Sequence, residues 1–369
     1  MRCLLLHVEP ATYIVHRLKE FQSTELDSYE LKFLYRYATQ PWDEAGNLAK
    51  AEVLFEGNWY SGLFRCLRLL WNILAGRYDV AHLAGWGQPI LKLCIVCLAL
   101  RGVPFSVESD MPLPADLHSL RQRLKKPFYR AMLKLPSAVI PGGRRQAEWF
   151  RYYGVPEARI HIAGMTVDTE RIRSMVVRPR ALFRKDNNIN EDAVVFLFVG
   201  RLETMKGLDV LLEAFSRVER QDSSAMLVVV GNGQLLPLVT GRASLDPQMR
   251  YTGRESFSGV IQWMHASDVL VLPSTHEPWG LVVNEAMACG LPVIASDRVG
   301  CVDDLVCHGK NGFVVPAGDS SALADAMGRL LKEKSLRENM ASQSATMILP
   351  WTVQREASII KKVISGMAQ

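Results

Sequence analysis

Two acidic residues, Glu277 and Glu285, stand eight positions apart in this 369-residue sequence. A Pro-Trp-Gly turn and the start of an apolar helix separate them. The apolar run 269–272 just before them predicts a buried parallel strand, so Glu277 leaves the carboxyl edge of a sheet, where open α/β folds bind ligands. The free N–H groups at the start of the next helix suit an anion. Carboxylates for hydroxyls and amides for phosphate predict a sugar nucleotide as the ligand.

A second loop carries two cations, Arg201 and Lys206, between the apolar strand 194–199 and a helical pattern that opens at Leu208. Glycine at the strand exit allows backbone to approach a ligand closely, and the two cations can converge on a diphosphate. The spacing is not that of a Walker A loop, which argues against an ordinary P-loop kinase or ATPase. Alone, such a pair is more often two solvated charges. Together with the acids on a later strand, it favours phosphate binding.

The chemistry that these groups can support is cleavage of an anomeric C–O bond. That cleavage adds negative charge to the departing diphosphate, which fixed cations and amides stabilise. The sequence has no DxD pair to hold a metal, since Asp303 and Asp304 are adjacent and Glu108-Ser109-Asp110 is the nearest variant. We therefore predict that no cofactor and no metal is required.

Alternating strand and helix patterns place these loops in an α/β fold with parallel sheets. The length predicts two domains, with residues 171–191 as the connection between them. We expect a first domain at 1–175, a second at 176–350 and a terminal helix at 351–369 that crosses back to the first. Each domain is predicted to be doubly wound and Rossmann-like, the two facing across a cleft. The strands are expected near 3–8, 52–55, 79–84, 104–108, 137–141, 193–199, 225–230, 248–251, 268–272, 291–295 and 312–315.

Composition is ordinary for a soluble protein, with 49% hydrophobic and 22% charged residues. Seven scattered cysteines favour a reducing cytosol; Cys94 and Cys97 fit helix packing better than a metal site. No signal peptide is expected, because Met1 and Arg2 lead directly into a strand pattern. The basic amphipathic segment 120–135 fits either an anionic membrane surface at the inner face of the cell membrane or a solvated helix face. No nucleic-acid partner is predicted.

The second half of the sequence resembles the retaining glycosyltransferases of sequence family 4, which have the GT-B fold of two Rossmann-like domains. The resemblance covers most of that half and depends on many motifs in one order. They are Val199-Gly200-Arg201-Leu202, Lys206-Gly207, Val230-Gly231-Asn232-Gly233, Ala266-Ser267-Asp268, Pro273-Ser274, the Glu277-to-Glu285 segment, Gly290-Leu291-Pro292-Val293-Ile294-Ala295 and Asn311-Gly312-Phe313-Val314.

The resemblance implies a role for each matching residue. Glu277 contacts hydroxyls of the donor sugar and Glu285 those of the ribose, while Arg201 and Lys206 hold the departing diphosphate. The loop at 251–255 is implied to lie near the nucleobase. The other donor-binding positions expected are Gly231, Gly233, Arg254, Trp279, Gly280, Leu281 and Val282.

The first half matches the family more loosely. Many members place a histidine near the reacting sugar where this sequence has Asp110, so the resemblance predicts an active-site aspartate there; a structural loop residue is the alternative. His82 ends a matching strand and is expected on the acceptor side, with a satisfied core histidine as its alternative. The first loop lacks the family's glycine-rich turn, so Glu9 and its neighbours are expected to shape the acceptor side.

The predicted activity is retaining transfer of a hexose or related sugar from a nucleotide-diphosphate sugar to a glycan or lipid-linked acceptor. Such transfer belongs to envelope polysaccharide, glycolipid or glycan biosynthesis. Two other functions remain open. One is a sugar-nucleotide epimerase on the same scaffold, which activates water. The other is a non-catalytic subunit that binds sugar nucleotides for a partner enzyme.

Overall fold

A computed structural model describes residues 1–10, 12–22, 28–35, 51–56, 59–114, 116–117, 119–175 and 177–368. The chain divides into two compact units, Met1–Met165 with Val353–Gln369, and Thr166–Thr352. The sequence analysis places the divisions after residues 175 and 350, so the connection that it assigns to 171–191 lies inside the second unit. The terminal helix belongs to the first unit.

Twelve strands and fifteen helices are described. The strands are β1 (Arg2–His7), β2 (Ser28–Tyr35), β3 (Glu52–Phe55), β4 (Val80–Ala84), β5 (Phe105–Ser109), β6 (Ala138–Pro141), β7 (Val194–Val199), β8 (Ala225–Val230), β9 (Met249–Gly253), β10 (Val269–Leu272), β11 (Val293–Ser296) and β12 (Gly312–Val315). The helices are α1 (Thr12–Gln22), α2 (Trp59–Leu74), α3 (Pro89–Arg101), α4 (Leu120–Met132), α5 (Arg144–Tyr152), α6 (Thr169–Ser174), α7 (Arg180–Asp186), α8 (Leu208–Glu219), α9 (Leu236–Leu245), α10 (Phe257–Ala266), α11 (Leu281–Ala288), α12 (Val302–Leu305), α13 (Ser320–Lys332), α14 (Lys334–Met347) and α15 (Val353–Met367).

The first unit is a six-stranded parallel sheet in the order β3-β2-β1-β4-β5-β6. Alternate residues of each strand point to opposite faces of the sheet. Both faces carry apolar residues, and helices cover both. On one face Leu4 and Leu6 share a core with α2, α3, α4 and α5. On the other, Cys3 and Leu5 pack with α1 and α15.

The strand β2 is absent from the sequence prediction. Its middle alternates charged Glu30 and Lys32 with apolar Leu31 and Phe33, and Lys32 is 2% exposed. The structure satisfies this buried ammonium with ion pairs to Glu30 and Glu52. An unpaired charge there would be costly, so the neighbouring strand β3 supplies a partner that the local pattern does not reveal.

The second unit is a six-stranded parallel sheet in the order β12-β11-β10-β7-β8-β9. All residues of β7, β8, β10 and β11 are buried, as continuous apolar runs predict for strands covered on both faces. Strand order reverses between β7 and β10. Right-handed crossovers therefore send α8 and α11 to opposite faces, which opens a crevice at the carboxyl ends of these two strands.

The prediction of an α/β fold with two parallel, doubly wound sheets is confirmed, and each predicted strand is present. Within the described ranges, no helix combines the length and the apolar character needed to cross a membrane.

Candidate functional site

The loops that follow β7 and β10 meet at the reversal point of the second sheet. The Thr275 N–H donates a hydrogen bond to the Met205 carbonyl at 2.8 Å. Gly207 lies at φ +68°, and a Cβ added there would be 2.2 Å from the Pro273 carbonyl oxygen. Only glycine permits this close approach. The structure thus brings together the cation loop and the acid loop that the sequence analysis selects.

Lys206 and Glu277 form an ion pair between these two loops. Their side chains are 12% and 13% exposed, so both charges are largely removed from solvent. Gly207, directly after Lys206, also begins α8, and no side chain caps that helix start. One cation, one carboxylate and one uncapped helix N-terminus therefore share the crevice.

The turn before α11 is shaped by Gly280, which lies at φ +98° and caps the helix. A Cβ there would be 3.1 Å from Val299 and 3.2 Å from Leu272, so the position is both strained and crowded for other residues. Among the described residues, no backbone hydrogen bond uses the N–H groups of Leu281 and Val282. These two amides are available to an anion.

Trp279 requires a correction. The sequence analysis places it among donor contacts, yet its indole is only 2% exposed and donates a hydrogen bond to Asn284 Oδ1 at 3.0 Å. Its ring also lies 5.9 Å from that of Trp351. The buried side chain of Trp279 therefore holds the turn against α11. Only the backbone of Trp279 can face a ligand.

Glu285 lies on α11 and is half-buried. Its carboxyl has no hydrogen-bond or ion-pair partner among the described residues, in contrast to Glu277. Burial raises the pKa of Glu285 to about 8. A buried carboxyl without a partner is costly to keep ionised. The Glu285 carboxyl can therefore accept hydrogen bonds from a bound ligand.

Glycines hold the loops after β7 and β8 together. A Cβ on Gly231 would lie 1.8 Å from the Gly200 carbonyl oxygen, and one on Gly233 would lie 2.6 Å from that of Leu202. Both glycines have positive φ, at +143° and +157°. Their immediate role is close loop packing, which places the loop that carries Arg201.

The remaining donor-side cations lie at the surface. Arg201 donates to Glu203 Oε1 at 2.8 Å and is half exposed. Arg254 is exposed and follows β9. Both are more exposed than Lys206.

The first unit contains a buried polar network that sequence reasoning missed. Glu108 on β5 accepts two hydrogen bonds from the Arg17 guanidinium, at 2.8 and 2.9 Å, and Arg17 also pairs with Glu356 of α15 at 2.7 Å. Burial alone would raise the pKa of Glu108, but Arg17 and the hydrogen bond from His82 hold it well below its usual range. No motif marks Arg17 or Glu356. Their only signal is a charged residue on the apolar face of a helix.

His82 belongs to this network rather than to a surface. It is 1% exposed, its Nδ1 lies 2.9 Å from Ser106 Oγ, and its Nε2 lies 3.3 Å from Glu108 Oε2. The expectation that His82 faces an acceptor is corrected in favour of its alternative, a satisfied core histidine. Asp110 is exposed directly after β5, and Glu9 is half-buried after β1.

His7 is the buried neighbour of His82, with ring centroids 5.9 Å apart. Neither of its ring nitrogens has a hydrogen-bond partner in the described part of the chain. Burial, and then the nearby Arg17 charge, lower its pKa well below the ordinary value. His7 is therefore neutral at physiological pH.

Within the described ranges, no group of three or more His, Cys, Asp or Glu side chains is placed to hold a metal ion.

Residues 179–347 match the family model described as Glycosyl transferases group 1. The chain is 29% identical over 285 residues to a D-inositol 3-phosphate glycosyltransferase of Pseudarthrobacter chlorophenolicus, covering 73% of this chain and 66% of that protein. It is 36% identical over 174 residues to a phosphatidyl-myo-inositol mannosyltransferase of Mycobacterium leprae, covering 47% and 46%. In both cases the alignment spans less than two thirds of the relative's own length.

Among solved structures, the chain is similar to Anabaena HepE in complex with UDP, with a TM-score of 0.79. The superposition covers 99% of this chain and 100% of that protein at 20% sequence identity. At this identity the likeness concerns the fold.

Proposed function

We propose, on the premise that residues 179–347 belong to the group 1 glycosyl transferases, that this chain transfers a sugar from a nucleotide-diphosphate sugar to an acceptor hydroxyl. The observation that carries the proposal is the convergence at the β7–β10 reversal point. There the Lys206–Glu277 pair, the free amides of Leu281 and Val282, and the unpartnered Glu285 carboxyl lie on two adjoining loops and one helix.

Recognition of the nucleotide is assigned to Glu285. A carboxylate between two neighbouring hydroxyls accepts a hydrogen bond from each, and a ribose presents such a pair. Burial raises the pKa of Glu285 to about 8. Hydrogen bonds donated by the ribose hydroxyls favour the ionised carboxylate and so oppose this effect of burial.

The diphosphate is assigned to Lys206, Arg201 and the amides that begin α11. Negative charge grows on the leaving diphosphate as the anomeric bond breaks, and groups fixed beforehand stabilise that charge most effectively. Lys206 is held in place by Glu277 rather than disordered in solvent. Glu277 then stands beside the phosphate-binding cation, a position suited to the hydroxyls of the attached sugar. We propose that these groups replace a metal ion.

Retention of anomeric configuration is part of the proposal. The acceptor attacks from the face that the diphosphate leaves, and the departing phosphate oxygen takes the acceptor proton. An inverting reaction instead requires a general base on the opposite face. Asp110 is the residue we retain as a sugar contact and as the candidate base if this part of the proposal fails.

The proposed acceptor is a glycan or a lipid-linked molecule of envelope polysaccharide, glycolipid or glycan biosynthesis. The name of one relative, a phosphatidyl-myo-inositol mannosyltransferase, supports a lipid-linked acceptor. The proposed location is the cytoplasm, with contact at the inner face of the cell membrane.

A panel of UDP-, GDP-, ADP- and dTDP-sugars, measured by thermal shift, tests the donor assignment. One base should raise the melting temperature, and the Glu285→Gln variant should lose most of that shift. Slow release of nucleotide from the same donor then separates an enzyme from a binding subunit. A panel without any shift, or a shift that Glu285→Gln leaves intact, contradicts the proposed site.

A further inference from the structure

The helix α2 in the first unit is apolar on two sides. Cys66, Leu69 and Ile73 face the core. A second stripe faces solvent, with Phe64 67%, Leu67 56% and Trp71 69% exposed. This spacing of three and four residues aligns them on one side of the helix. An amphipathic surface helix normally has polar residues on its solvent-facing side.

The neighbouring helix α3 repeats the arrangement. Cys94 and Leu98 are buried, while Leu93 and Leu100 are 52% and 78% exposed. The two helices pack against each other and contribute to the same core cluster. Their exposed side chains therefore form one contiguous apolar patch, which soluble proteins rarely leave uncovered without a binding role.

The helix α4 extends this surface with positive charge. Tyr129 and Met132 pack on the same core cluster as α2 and α3, so all three helices cover one face of the sheet. Its own exposed apolar residues, Leu120, Leu124 and Phe128, alternate with arginines and lysines. Together the three helices contain nine Lys and Arg residues and no Asp or Glu.

We propose that the outer face of α2, α3 and α4 is a docking surface for an anionic lipid bilayer. Exposed aromatic and leucine side chains enter the headgroup region, and surrounding cations attract acidic headgroups. A second copy of the chain is a poor occupant, because a symmetric interface would bring together two sets of α2, α3 and α4, which contain cations and no acids. This inference specifies the surface for the membrane contact of the proposed function, and flotation tests it separately from donor binding and transfer.

The charges near the surface fit this occupant. The Arg68 guanidinium pairs with Glu52 of β3, and the Lys126 ammonium lies 3.9 Å from the centre of the Tyr152 ring. Glu148 on α5 is the acid on the fourth helix of this face. On α4 itself, Arg121, Arg123 and Arg130 are exposed, so these cations are accessible to headgroups.

Flotation of the full chain with lipid vesicles tests the proposal. Vesicles of phosphatidylcholine with phosphatidylglycerol should carry the wild-type protein, and vesicles of phosphatidylcholine alone should carry much less. The double variant Phe64→Glu/Trp71→Glu should lose about tenfold or more in binding. Neutralising Arg121, Arg123 and Lys125 to Gln should cost about fivefold for each cation. The matched control is Leu245→Glu on α9 of the second unit, where Leu245 is 84% exposed and no change is expected.

A second measurement separates insertion from misfolding. Brominated lipids should quench tryptophan fluorescence in the wild type and less in Trp71→Phe, which keeps an aromatic side chain. Equal flotation of the double variant and the wild type would overturn the proposal. So would equal binding to both vesicle types. A concentration-dependent dimer that the double variant abolishes, without vesicle binding, would assign the surface to a second copy instead.

Discussion

Lys206 and Glu277 are 71 positions apart in the sequence, and they form a largely buried ion pair where the strand order of the second sheet reverses. Each loop also contacts the other through its backbone. The pair therefore holds a cation in the crevice where a diphosphate is expected to bind. It also places the Glu277 carboxylate beside that cation, where a sugar attached to the diphosphate would lie.

This relationship predicts unequal effects of two substitutions on binding of the nucleotide diphosphate. Lys206→Met should weaken binding and slow transfer by about 10²–10³, the cost of removing one fixed electrostatic donor. Glu277→Gln should leave binding of the free nucleotide nearly intact while slowing transfer, because the carboxylate is assigned to the sugar. Calorimetry on both variants measures the difference. Equal losses of nucleotide affinity would contradict the division of roles.

The raised pKa of Glu285 predicts that the free energy of unfolding depends on pH. Its pKa in the folded protein is raised from 4.5 to about 8, so between these values the folded state keeps a proton that the unfolded chain releases. The stability that this proton provides is full below pH 4.5 and is lost as pH rises through 8. Glu285→Gln, which cannot ionise, should therefore melt at a higher temperature than wild type at pH 8, and the gap should close near pH 4.5.

The control for that measurement is Glu213→Gln on α8, whose side chain is 60% exposed. It should show no such pH dependence. A Glu285→Gln variant that melts below wild type at pH 8 would show that the carboxyl has a stabilising partner in the folded protein.

The network in the first unit predicts a large stability effect at Arg17. Removing one partner of a buried ion pair leaves an uncompensated charge, at a cost of about 3–5 kcal/mol. Arg17→Met should therefore lower the free energy of unfolding by that amount, because the buried carboxylates of Glu108 and Glu356 both lose their ion pair with the guanidinium. The matched control is Arg151→Met, which breaks an exposed pair with Glu157 and should cost about 0–1 kcal/mol. Similar urea midpoints for both variants would refute this account of the network.

Much of the fold follows from pattern. The strands β7, β8 and β10 of the second unit are continuous apolar runs, and the loops after β7 and β10 carry the glycines and charged residues that the crevice needs. The spacing of apolar and charged residues could not predict ion pairs between residues far apart in the sequence. Arg17 and Glu356 are 339 positions apart, and locally each shows only a charged residue on the apolar face of a helix, with no sign of its partner.

Side-chain direction is the second limit. Trp279 stands between proline and glycine in a ligand-facing turn, which favours a binding role, yet its indole points into the core and bonds Asn284. His82 ends an apolar strand pattern and reads as a cleft residue, but the register places it opposite Ser106 in the sheet. In both cases packing decides the direction, and packing is not visible in the spacing of residues.

The proposed role of Lys206 and the α11 amides also predicts insensitivity to chelators. EDTA should leave transfer by the purified protein largely intact, since fixed protein groups neutralise the leaving diphosphate. A complete loss of activity that Mn²⁺ or Mg²⁺ restores would show that a metal performs this task.

The stereochemistry of transfer tests the central claim most directly. The protein is incubated with its α-linked nucleotide-sugar donor and an acceptor, and NMR gives the anomeric proton coupling of the first-formed product. The account predicts an α-linked product, formed by wild type and strongly reduced in Lys206→Met. A β-linked product would contradict it and would make Asp110 the candidate catalytic base.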